Sequence, residues 1–350
     1  MKHGGDILTY RHLYDGHIID FSSNINPLGP PEGLKRVMME GFDDITAYPD
    51  IRYRVLKGEV ARYLGCKESE VMLGNGAVEL IHNMVMMFDR AVVPVPCFSE
   101  YVERPEILGK EVMKVNLDHR FEIDDQALLP HIREGDLLIL GNPNNPTGKR
   151  INRDKLLAIH ETVKERGAFL LLDEAFYEFC SDDYDSIRLL YGSHHVCVIR
   201  AATKFFALPG LRLGYAYAPK AMVQKYNRIA LPWHINTFAD LAGRIIFKQE
   251  DYIAKTKAYM RTQRQYMLSA LKKIDEIAVG DTDCNYILIK LLRANEEILF
   301  RFMIQKGILI RKASSFEGLD DRYVRIAIKD EKCNRYLVEW MKEWGAGSEG

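Results

Sequence analysis

Between about residues 53 and 235, short apolar runs alternate with stretches of helical periodicity, and this alternation limits the fold more than any other feature of the chain. RVLKGEVARYL (54–64) and AVELIHNMVMMF (77–88) carry the three- and four-residue apolar spacing of helices with one buried face. AVVPVP (91–96), DLLIL (136–140), AFLLLD (168–173), HVCVIR (195–200) and LGYAYA (213–218) are short and apolar on both sides. Strands buried on both faces belong to a mostly parallel sheet covered by helices, since parallel strands are joined by helical crossovers. The expected class is therefore α/β.

After about residue 236 the texture changes. A long charged helical stretch (239–273) leads to YILIKL (286–291), a helix near 295–306, GILIRK, YVRIAI and a last helix near 331–344. This reads as a smaller α+β unit. The first forty residues, rich in Pro and Gly around NINPLGPP, have no core of their own and should pack against it. The expected division is an N-terminal arm shared with the small domain (1–45), a large α/β domain (46–238) and a C-terminal small domain (239–350).

Composition removes several function classes. The 48 Lys and Arg against 49 Asp and Glu leave a net charge of -1, which lacks the footprint of a nucleic-acid binder. No run of eighteen apolar residues is present to span a membrane, and MKHGGDILTY lacks a signal-peptide core, so a cytoplasmic location is expected. The six cysteines are scattered without a C-x-x-C, and the ten histidines form no H-E-x-x-H. Neither a disulfide framework nor a metal site is expected.

In parallel sheets ligands bind at the carboxyl ends of the strands. Unusual residues gather there. Gly74 and Gly76 of GNGAVE allow close approach to a phosphate at a helix N-terminus, and Arg212 of PGLRLGY can add a bidentate contact. Asp173 ends an otherwise apolar strand, where it could pair with a protonated ring nitrogen; Lys204 could condense with an aldehyde. Taken singly, each has a plainer reading as a turn, a helix cap, a surface lysine or a structural ion pair. As an ordered set they describe a pyridoxal phosphate site. A Walker A loop is absent, since Arg150 stands in place of its Ser/Thr, and GNGAVE ends in Glu79 where a dinucleotide fingerprint needs Gly or Ala.

NNPTG (144–148), DEAF (173–176) and AATKFFALPGLR (201–212) follow one another as in fold-type I, class I/II pyridoxal phosphate enzymes, which the chain resembles almost end to end. The large domain with its mostly parallel sheet and the α+β small domain built from both chain ends agree with that resemblance. HGGD (3–6), DFSSNINPLGPP (20–31) and ILIRKASSFEGLDDRYVRIAI (308–328) are most similar to the threonine-phosphate decarboxylase branch, with histidinol-phosphate aminotransferase as its sister.

The resemblance implies a Schiff base and proton transfer at Lys204, ring-nitrogen pairing at Asp173, a ring-hydroxyl contact from Asn145 and stacking by Phe98. It places Gly76, Ala77, Val78, Thr203 and Arg212 around the cofactor phosphate. It implies a homodimer in which Tyr48 reaches the neighbouring subunit's cofactor. The substrate, a small phosphorylated amino acid, would meet Arg325 with its carboxylate and His3 and Arg311 with its phosphate, and Asn26 falls in the same substrate set. Three positions depart from the transaminase pattern: Phe176 stands for a Tyr, Ala201 for a hydroxyl residue, and Ala77 for a polar cradle residue. Each lost neutral contact costs roughly 1 kcal/mol of cofactor binding, leaving the charged and backbone contacts in place.

Overall fold

The computed structural model describes residues 4–347. A seven-stranded sheet forms its centre. Across the sheet the strands run Val71–Asn75, Leu213–Tyr217, Val196–Ala201, Phe169–Asp173, Leu137–Gly141, Arg90–Val95 and Glu111–Asn116. Leu213–Tyr217 alone is antiparallel to its two neighbours; the remaining pairs are parallel.

The apolar runs form buried strands because both faces are covered. Leu138, Leu140, Leu170 and Leu172 enter one core cluster, while Leu137, Ile139, Phe169 and Leu171 enter the other, as the two-residue period requires. Helix Arg54–Leu64 buries Leu56, Val60, Ala61 and Leu64 and stops at Gly65, whose positive φ of 69° is open to glycine at little cost.

A second sheet orders Arg311–Lys312, Tyr323–Ala327, Tyr286–Leu291 and Ile277–Val279, all antiparallel. Ile19–Asp20 from the amino end pairs in parallel with Ile308–Leu309 from the carboxyl end. Both chain ends thus meet in one unit, as the sequence led us to expect. No helix among the described residues is long and apolar enough to cross a membrane.

Three elements differ from the sequence reading. Glu111–Asn116 is an edge strand whose charged, half-exposed residues lack an apolar run. The stretch 239–273 is two helices, Thr237–Ile246 and Glu250–Leu271, and between them Phe247 turns into the core against Tyr63 and Tyr215. GILIRK is not one strand: its first half pairs with Ile19–Asp20 and its second half with Tyr323–Ala327, with buried Ile310 at the switch.

Candidate active site

Where the parallel strands end, a cavity of about 220 Å³ lies between the seven-stranded sheet and the small unit. Its lining draws on distant parts of the chain: Gly4, Ser22 and Asn24 from the amino end, Phe98 and Tyr101, Asn145, Asp173, Lys204, Arg212, and Arg311, Ser315, Phe316 and Arg325 from the carboxyl end. Among the described residues, four cationic side chains and one carboxylate face it. Such a cavity attracts anions.

Asp173 is the last residue of its strand and is 7% exposed. The Tyr101 hydroxyl donates to Oδ2 at 2.8 Å and the Ala175 N–H to Oδ1 at 3.0 Å. Burial raises its carboxyl above the ordinary value; these two donors and the charge of Lys204 oppose the rise, and Glu174 adds to it. A buried carboxylate of this kind is completed by a cation in the cavity. The adjacent Glu174 serves the fold instead, fully buried and paired with Arg200 at 2.9 Å.

Lys204 is half-buried and lines the cavity. Its amine is pushed down to about 8, first by burial and then by the charges of Arg325, Arg212 and Lys329. Nζ lies 5.9 Å from the Phe176 ring centroid and in no ion pair among the described residues.

The phosphate cradle has a clear local cause. Gly76 precedes helix Ala77–Met86 with φ 81°, and no side chain caps the first-turn N–H groups. A Cβ on Gly76 would meet Arg212 Nη2 at 2.2 Å, so the guanidinium lies directly over the helix start. Free N–H groups, the positive helix end and a guanidinium together suit a phosphate dianion. Ala77, Val78, Thr203 and Arg212 all line the cavity.

On the other side, Arg325 is 5% exposed and donates to Asn145 Oδ1 at 2.5 Å and to the Ser22 carbonyl at 2.8 Å. Its Nε has no hydrogen-bond partner among the described residues. Arg311 is 2% exposed and donates to Ser315 Oγ at 2.7 Å. Both guanidiniums are held down to about 10 by burial, and Arg311 additionally by the charge of Arg325. An unsatisfied cradle for an anion and an incomplete buried guanidinium mark where a cofactor and a substrate would sit.

Most residues anticipated from sequence line this cavity; Gly76 lies against Arg212 without lining it, and three others stand apart. Asn26 is turned away from it: its amide is spent on the Phe205 carbonyl at 2.8 Å, the Tyr252 hydroxyl at 2.8 Å and Thr256 at 3.2 Å. Asn24, two residues earlier, lines the cavity instead, is 1% exposed and leaves Oδ1 unpartnered. Tyr48 stands outside the cavity, 79% exposed and stacked on Trp233 at 4.5 Å. His3 lies outside the described residues. Sequence reasoning also missed Tyr101 and Ser315; Tyr101 was findable as the residue one helical turn beyond Phe98.

The family model of aminotransferase class I and II matches residues 16–340. A Caldanaerobacter subterraneus protein provisionally named threonine-phosphate decarboxylase is 40% identical, over 98% of this chain and 96% of its own. The Salmonella typhimurium threonine-phosphate decarboxylase is 33% identical, over 97% and 95%. A solved histidinol-phosphate aminotransferase from Clostridium acetobutylicum superposes with a TM-score of 0.90 at 34% identity, over 93% of this chain and 99% of that one.

Proposed function

The chain belongs to the class I and II aminotransferase family, and on that premise we propose that it is a pyridoxal-phosphate-dependent decarboxylase. Its substrate is O-phospho-L-threonine and its product (R)-1-aminopropan-2-yl phosphate, a component of the corrinoid nucleotide loop. The observation that carries the reading is the buried pair Arg311 and Arg325, both facing the cavity and distinct from the Gly76–Arg212 cradle. Two fixed cations suit a substrate with a carboxylate at one end and a phosphate at the other. Histidinol phosphate offers only the phosphate.

When bound, pyridoxal phosphate supplies a conjugated ring that accepts the electron pair left as a bond to the substrate's α-carbon breaks. Ala77, Val78 and Arg212 would hold its phosphate, Phe98 would cover the ring, and Asn145 would take the ring hydroxyl. Asp173 would keep a proton on the ring nitrogen. Lys204 would hold the cofactor's aldehyde carbon, and its low-lying amine would gain and lose protons readily near neutral pH. Arg325 receives the substrate carboxylate; Arg311, with His3 and Asn24, receives the phosphate. Anchoring both ends would fix the substrate's orientation and so select which α-carbon bond breaks. Held this way, the substrate would give up its carboxylate as carbon dioxide, and the Lys204 ammonium would return a proton to the same carbon. The working form is a cytoplasmic homodimer, with Tyr48 reaching the neighbouring subunit's site.

The test is to supply phosphothreonine without a keto acid. Carbon dioxide and aminopropanol phosphate in equal amounts are expected. Turnover that requires 2-oxoglutarate and accumulates pyridoxamine phosphate would establish an aminotransferase instead, the activity of the Clostridium relative's name.

A further inference from the structure

Tyr101 touches Asp173, the one carboxylate that lines the cavity among the described residues, and none of the motifs accounts for it. It sits on helix Glu100–Ile107, 2% exposed, with its hydroxyl 2.8 Å from Asp173 Oδ2. The Tyr101 N–H bonds the Phe98 carbonyl at 3.0 Å, and the two rings meet edge to face with centroids 5.7 Å apart. One tight turn therefore sets both the ring-covering Phe98 and the brace on the acid.

We propose that Tyr101 is the positioning residue of Asp173: its hydroxyl fixes the carboxylate's orientation toward the cofactor ring and favours the anion over the neutral acid. This rests on the pyridoxal phosphate reading above. Asp173 has few other sources of help. Burial disfavours its charge, and Glu174 beside it is also negative; the Arg200 guanidinium is committed to Glu174 and Asp185. The charge of Lys204 favours the ionised Asp173, and that amine is itself held low. On the far side Tyr101 meets Cys97 and Tyr286, which are neutral at working pH because burial raises both. The remaining supports are the Ala175 N–H and the Tyr101 hydroxyl, and only the second belongs to a side chain. Hydrogen bonds to a charged group are the strong ones.

The experiment compares wild type with Tyr101→Phe, which keeps the ring and removes the donor. In unloaded protein carrying isotope-labelled aspartate, with Asp173→Asn identifying the band, infrared difference spectroscopy should show Asp173 protonating at higher pH in Tyr101→Phe. In loaded enzyme kcat should fall about tenfold or more with KM little changed, and the acid limb of kcat should move to higher pH. A lowered melting temperature with an unmoved Asp173 titration and an unmoved acid limb would reduce Tyr101 to packing and overturn the proposal. Should Tyr101→Phe fail to fold, fluorotyrosine at position 101, a stronger donor of similar shape, should move the Asp173 titration to lower pH; no movement overturns it. A shifted Asp173 titration in a protein that releases no carbon dioxide would sink the decarboxylase reading while leaving this one standing.

Discussion

Arg311 and Arg325 are direct cross-strand partners in the antiparallel small sheet, two guanidiniums buried side by side at the cavity wall. Like charges in that register destabilise a sheet, and burial deepens the penalty. Burial holds each guanidinium down to about 10, and at Arg311 the charge of Arg325 adds to it. An arrangement that works against the fold points to a doubly anionic ligand, whose two ends offset both costs on binding.

The first prediction follows from that pair. Arg311→Ala should raise KM for phosphothreonine by about 10- to 100-fold, the loss of one charge-assisted contact, and leave the cofactor's absorption unchanged. Equal use of unphosphorylated threonine by the wild type would remove the basis for a phosphate site.

Lys204 should carry the cofactor. Borohydride reduction and peptide mapping should find the label on Lys204, and label on another lysine would sink the assignment. Its depressed amine also has a thermodynamic consequence. Between about 8 and the ordinary 10.5 the unfolded chain binds a proton that the folded chain lacks, so in this window unloaded protein gains stability as pH rises. Lys204→Met should abolish that part of the slope, seen in melting curves of both unloaded proteins across the same pH range.

Asp173→Ala should lower kcat by orders of magnitude while the cofactor still binds through the Gly76–Arg212 cradle, as equilibrium dialysis of the cofactor would report. Normal turnover would make the acid a strand-end structural group.

Asn24 and Asn26 should separate cleanly. Asn26→Ala loses buried hydrogen bonds to Phe205, Tyr252 and Thr256 and should cost about 1–3 kcal/mol of stability without altering KM. Asn24→Ala should do the reverse, since its Oδ1 has no partner to lose. Denaturant titrations and steady-state kinetics on both variants decide it; an unchanged KM in Asn24→Ala would exclude it from substrate binding.

The amino-acid sequence by itself determined the α/β class and the residues at the strand ends. Strands buried on both faces must be uniformly apolar, so Asp173 stood out at the end of AFLLL, and backbone approach to a phosphate needs the glycine at position 76. These signals are local, carried by a few consecutive residues. Tertiary structure alone decided the rest. Asn24 and Asn26 are both polar residues in the same loop, and only its path across Phe205 and Asn285 shows which one enters the cavity. Arg311 faces inward because the chain changes sheets at Ile310, and its register opposite Arg325 arises from strands that no local pattern pairs. Tyr101 braces Asp173 across 72 residues of sequence. A hydrogen bond depends on two positions in space, and spacing along the chain encodes such a meeting only when a single helix or turn holds both partners.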